Sequence, residues 1–184
     1  MNRQRLRAEQ VRDAALHLSG ELDGKMGGPP ALHFLHKDDK TFNPGGAPPF
    51  VDYANLDQDS PDTRRRAIYR FIFRTVPDPL MDALGCPDGG SAVPVRATSS
   101  TAQQALAMLN DAFLIRRAER LAERIVSENT RADAAAQVRA AFGIVLQREP
   151  AGSETRSFHD HVSQHGLANA CHLLLNSNEF LFLD

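Results

Sequence analysis

Apolar positions recur every three to four residues over most of the chain, the spacing of amphipathic helices. Leu6, Val11, Ala14, Ala15, Leu18 and Leu22 share one face of a first helix, which Gly20 and Asp23-Gly24 stop. Ser60-Pro61-Asp62 carries the start signals of a second helix, with Ile68, Tyr69, Ile72, Phe73 and Val76 as its apolar face and Pro77 and Pro79 as its end. Ser100-Thr101-Ala102-Gln103 reads as a capping box opening the longest helix, 101–127, which Asn110-Asp111 is placed to kink or split. Leu106, Leu109, Phe113, Ala118, Leu121, Ala122 and Ile125 line its inner face. Arg116, Glu119, Arg120, Glu123 and Arg124 form its solvated face. Thr130 and Asp133 open a further helix with Val138, Ala141, Phe142 and Val145 inward. Ser153 caps the next, Gly166 ends it, and Leu167–Leu175 forms the last substantial one.

The periodicity fails in two places, 27–59 and 77–99, both rich in Gly and Pro. Leu32, Phe34, Leu35, Phe42, Phe50, Val51 and Tyr53 keep the first from reading as disorder, so an extended segment with a short hairpin packed across the helices is expected. The prediction is an all-α, irregular domain of about five to six helices spanning 1–184, with these two long loops. The last dozen residues are unusually apolar for a chain end, so the tail is expected to dock: Asn176, Asn178 and Glu179 fix the final turn, and Phe180 and Phe182 seal the core.

Composition narrows the function classes. A net charge of −2 gives no general attraction to nucleic acid. No run of 18 apolar residues is present, so no membrane span is expected. The basic start, Met1 to Arg7, lacks the apolar stretch of a signal peptide, and the chain taken by itself reads as cytoplasmic. Cys86 and Cys171 are too few for a disulfide framework; two buried thiols is the leading reading and a single bridge between them the alternative. There is no Gly-x-Ser-x-Gly, P-loop or dinucleotide-binding glycine motif, and no catalytic residue is assigned.

Two sets of residues remain as candidate sites. Arg66, Arg70 and Arg74 repeat at every fourth position and, with Arg96, could recognise an anion; the competing reading pairs them with nearby carboxylates. His33-x-x-His36, and His161 with His165 one helical turn apart, have metal-ligand spacing, but the helical pair lacks the following Glu of a metalloprotease motif, Val162 standing there. Asp57, Asp59 and Asp62 do not match a calcium loop and read as caps and charge partners for the arginines that follow. Glu9, Arg12, Asp13, Arg96, Gln104 and Glu179 read as a polar network holding loops to helices.

Several stretches occur in the order of one family. They are Arg5-Leu6-Arg7-Ala8-Glu9-Gln10-Val11-Arg12-Asp13-Ala14, Gly27-Gly28-Pro29, Arg65-Arg66-Ala67-Ile68-Tyr69-Arg70, Arg74-Thr75-Val76-Pro77, Thr101-Ala102-Gln103-Gln104-Ala105-Leu106 and the Leu-Leu-Asn-Ser-Asn-Glu-Phe tail. Together they resemble a planctomycete-type domain of unknown function, the C-terminal part of large exported proteins whose earlier domains resemble c-type cytochromes. Leu84-Gly85, Val95 and Ala102 depart from that pattern, where the family usually has Phe-Asp, Arg and Pro. The resemblance implies an exported or periplasmic setting. It implies haem c in neighbouring domains only, no cofactor in this chain, and those domains or another protein as partners. It carries no enzymatic activity with it. The leading reading is a non-catalytic scaffold; the alternative is an enzyme or ligand-binding module with an anion or metal site near loop 27–59 and the Arg64–Arg74 helix.

Overall fold

A computed structural model of the chain describes residues 4–37, 50–72, 76–87, 89, 101–128 and 133–183, leaving aside the side chains at 36, 37 and 50. Among the described residues six helices of nine residues or more make the body: α1 (Ala8–Leu18), α3 (Ala102–Asn110), α4 (Ala112–Glu128), α5 (Ala134–Val145), α6 (Gly152–His165) and α7 (Leu167–Leu175). Two short ones are added, α2 (Pro79–Ala83) and α8 (Asn178–Leu181). The only strands among the described residues form two small antiparallel pairs. One joins β1 (Gln4–Arg5) to β4 (Phe182–Leu183); the other joins β2 (Leu35–Lys37) to β3 (Phe50–Asp52). The fold is all-α and irregular, as the periodicity predicts.

The core is built on α4, which packs most extensively on α7. Leu114, Leu121 and Ile125 of α4 are sealed against Val11 and Leu16 of α1, Val138 and Phe142 of α5 and Cys171 and Leu175 of α7. Burying each such side chain contributes roughly 1.5–3 kcal/mol. Two expectations for this region shift. Leu106 is 58 % exposed and Leu109 is also exposed, while Gln104 and Met108 turn inward. The long helix is broken outright at Asp111, whose backbone is extended and whose carboxylate caps α4 by accepting from Leu114 N–H at 3.1 Å. The break rotates α3 relative to α4, which is why one inner face drawn through both fails.

Caps set the other boundaries. The box that opens α3 lies one residue later than expected: the Thr101 hydroxyl accepts from Gln104 N–H, and Gln104 Oε1 accepts from Thr101 N–H, both at 3.2 Å. At α6 the cap is not Ser153; Glu154 reaches back to Ala151 N–H at 2.7 Å. Gly20 ends α1 with φ +79°, letting Glu21 N–H bond the Leu16 carbonyl at 2.9 Å. Gly166 joins α6 to α7 at φ 84°, ψ 160°, a region open essentially to glycine alone. A Gly166→Ala variant meets no steric contact there, so its expected loss of about 1–3 kcal/mol in urea unfolding is conformational strain. An unchanged midpoint would remove that account of the α6–α7 corner.

The tail closes the domain. The Ser177 hydroxyl caps α8 through Phe180 N–H, Asn176 Nδ2 donates to the His172 carbonyl at 2.8 Å, and Phe180 and Leu181 are buried. Phe182 is half-buried at the core edge, and Asn178 is exposed at the first position of α8. Glu179 lies outside the core, accepting from Arg148 at 2.6 and 2.8 Å. Of the second long loop, α2 is described; Arg96 and residues 91–100 lie outside the described residues.

Candidate functional site

The expected Arg64–Arg74 helix does not form. In its place are two single 3₁₀ turns, Asp62–Arg64 and Ala67–Tyr69, with extended backbone at Arg65, Arg66 and Arg70. The reason is competition for backbone groups. Asp23 N–H takes the Arg64 carbonyl, Ala31 N–H takes the Tyr69 carbonyl, and Phe71 N–H bonds the Ala31 carbonyl. Arg12 donates to the carbonyls of Thr63 and Arg65, and the Asp13 carboxylate accepts from Ala67 N–H at 2.7 Å. Polar residues of α1 and the loop before β2 therefore hold this segment extended. Arg66 and Arg70 consequently form no helical stripe, and Arg74 lies outside the described residues. Ile68, meant for an inner face, is 73 % exposed.

Most of the arginines along this loop are matched internally. Arg64 pairs with Glu21 at 2.9 Å, Arg65 donates to the Gly27 carbonyl at 2.7 Å, and Arg66 lies 3.5 Å from Asp13. Arg70 donates to Cys86 Sγ at 3.5 Å. The densest cluster lies on α4. Asp59 accepts from three arginines of α4: Arg116 and Arg120 at 2.6 Å and Arg117 at 2.9 Å. Hydrogen bonds from Arg116, first, and then from Arg120 and Arg117 hold its carboxyl well below the usual range. Arg117 is 0 % exposed and also donates to the Gln58 carbonyl at 2.7 Å. The partners of Asp59 are thus on a distant helix rather than in the arginines that follow it. Arg117 could be found from sequence: it stands four residues after Phe113 and four before Leu121, on the apolar stripe itself.

A cavity of about 300 Å³ opens between this loop and the starts of α2 and α4. Arg12 and His33 form part of its wall, with Asp78 and Asp111 across from the loop and Leu56 and Pro79 as apolar surface. Arg12 is almost wholly buried and lies 4.6 Å from the centroid of Phe113. Burial lowers its pKa to about 10, so it remains a cation at neutral pH. His33 Nε2 lies 3.0 Å from the Asp62 carbonyl and 3.3 Å from Arg12 Nη2. Its Nδ1 is buried with no hydrogen-bond partner among the described residues. Burial, first, and the charge of Arg12 push the His33 pKa down to about 3. Burial raises Asp111 to about 6, with Asp78 adding to the rise and the N–H groups of Leu114 and Phe113 opposing it.

A pH signature follows. His33 titrates lower in the folded chain than in the unfolded one, so its contribution is complete above about pH 6.5 and is lost as pH falls through 3. Asp111 has the opposite sign, favouring the folded state below about 3.8 and losing that contribution as pH rises through 6. The stability gap between wild type and His33→Gln is therefore expected to be widest near pH 7 and to narrow steadily toward pH 4. Urea titrations at several pH values measure it, and a gap constant with pH would contradict a buried neutral imidazole.

The histidines are not gathered. His33 is enclosed by Arg12 and the turn at Asp62, whereas His161 and His165 stack on α6 with ring centroids 4.7 Å apart, and His161 Nε2 lies 2.8 Å from Asn169 Oδ1. The His36 side chain lies outside the described residues. Among the described residues no three His, Cys, Asp or Glu side chains come together to hold a metal. Cys171 is fully buried, its thiol pushed up to about 12 by burial, and neither it nor Cys86 is in a disulfide. No helix among the described residues is long and apolar enough to cross a membrane.

A family model described as PSD1, protein of unknown function (DUF1553), matches residues 1–162. No curated protein and no solved structure matches the chain.

Proposed function

This chain belongs to the PSD1 family of unknown function, and we propose that it is a non-catalytic scaffold and docking domain. The observation that carries this reading is the internal use of its charged groups. The cations best suited to grip a substrate hold loop to helix instead: Arg12 on two carbonyls, Arg66 beside Asp13, and Arg116, Arg117 and Arg120 around Asp59. Leu106 and Leu109 of α3, with Ile115 and Val126 of α4, are left as exposed apolar residues that a partner can cover.

The partners in this reading are neighbouring domains of a longer, exported protein of planctomycete type, with haem c in those domains and none here. The support for that context is the ordered set of sequence stretches. Two measurements test the proposal. A reading frame that encodes a signal peptide and Cys-x-x-Cys-His upstream of this chain agrees with it; a frame lacking both removes the exported redox setting. Metal analysis of the purified protein tests the non-catalytic part. Stoichiometric zinc or iron that disappears in His161→Ala or His33→Gln would replace the scaffold with a metal site.

A further inference from the structure

The cavity at the junction of the loop, α2 and α4 goes beyond a scaffold role. Its volume, about 300 Å³, lies at the lower end of the roughly 300–1,000 Å³ of small-molecule sites. Its chemistry selects among ligands. Arg12 supplies positive charge at the wall, but both Nη atoms already donate to the Thr63 and Arg65 carbonyls, so no bidentate fork is presented. The other charged groups lining it are two carboxylates, Asp78 and Asp111. An anion would meet those carboxylates without a fork to hold it. A divalent cation would meet the Arg12 guanidinium, and among the described residues no cluster of three His, Cys, Asp or Glu side chains gathers here to hold it.

What the cavity does present is acceptors on an apolar frame. Asp78 and Asp111 each direct one oxygen to a cap, to Met81 N–H at 3.0 Å and Leu114 N–H at 3.1 Å. A carboxylate has capacity for several more donors. Leu56, Pro79 and Ala112 supply apolar wall beside them. Such a surface suits a compact neutral molecule with several O–H donors and C–H faces. We propose that this cavity binds a neutral saccharide unit, whose hydroxyls donate to Asp78 and Asp111 and whose C–H faces lie on Leu56 and Pro79. Asp111, with its pKa at about 6, is mostly ionised at neutral pH and so acts there as an acceptor.

Calorimetric titration of the whole protein with glucose, galactose, mannose, xylose and N-acetylglucosamine tests this, with glucuronate, glucosamine and calcium chloride as comparisons. At least one neutral sugar is expected to bind. Its affinity is expected to fall about tenfold or more, about 1.4 kcal/mol, in Asp111→Asn and in Ala112→Leu. Asparagine keeps a capping oxygen for α4 and carries no buried charge, and Ala112 is exposed, so both variants are expected to keep wild-type circular dichroism and to melt no lower than wild type. Heat from none of the neutral sugars overturns the proposal. So does binding confined to glucuronate, glucosamine or calcium, or sugar binding unchanged in both variants.

Discussion

Replacing Asp59 with alanine is expected to destabilise the domain by about 3 kcal/mol, a melting temperature about 6–12 °C lower for a chain of this size. The loss comes from one of its three partners. Arg116 and Arg120 are partly exposed and keep Glu119 and Glu123 as second partners at 2.6 and 2.7 Å, so water and those carboxylates compensate them. Arg117 has no such outlet. Its side chain is 0 % exposed, its Nε and Nη1 have no hydrogen-bond partner among the described residues, and Glu21 is no closer than 3.5 Å. Without Asp59 a buried cation loses its main counter-charge. Replacing a buried ion by an apolar side chain of similar size is often nearly neutral, whereas stranding it is costly. Adding Arg117→Met to Asp59→Ala is therefore expected to restore part of the lost stability. Urea unfolding of the four members of the cycle measures this. A double variant no more stable than Asp59→Ala alone would show that the stranded charge is not the cause.

Phe180→Ala is expected to lower stability by about 3–5 kcal/mol, the usual range for a buried aromatic truncated to alanine. Phe180 is 7 % exposed and belongs to the same core as α4 and α7. Deleting 177–184 should go further, because Leu181 leaves with it and β1 loses its partner strand. The polar part of the tail behaves differently. Glu179 and Arg148 meet at the surface, where such pairs contribute about 0–1 kcal/mol. Glu179→Gln is thus expected to melt within a few degrees of wild type. Thermal unfolding of the three variants separates the contributions, and a Phe180→Ala protein that melts like wild type would show that the tail is not part of the core.

The parts of this fold legible in the sequence are those fixed by neighbours in the chain. Leu167–Leu175 is bounded by Gly166 and Asn176, and its ends are where those residues place them. In α5, Val138, Ala141, Phe142 and Val145 recur at helical spacing and are buried together. The segment after Ser60 has equally good local signals and still is not a helix. Its carbonyls and N–H groups are claimed by Arg12, Asp13, Asp23 and Ala31, 38 to 54 residues earlier, and no local rule weighs that competition. The site divides in the same way. His33, Arg12 and the kink at Asp111 stand out in the sequence as single residues. That they line one cavity depends on how a long loop is folded over two helix starts. The Asp59 cluster joins residues 57 to 61 apart, and only Arg117, a charge on an apolar stripe, marks it beforehand.

The pairing of β1 with β4 has a mechanical consequence. Gln4 faces Leu183, Arg5 faces Phe182, and Leu6 N–H bonds the Leu181 carbonyl at 2.8 Å. Tension applied to residues 4 and 183 pulls the two strands apart from one end, so the bonds open in turn instead of shearing together. Were the domain set in a longer chain under load, this zipper would peel first at low force. The helices behind it would be shielded until Phe180 left the core.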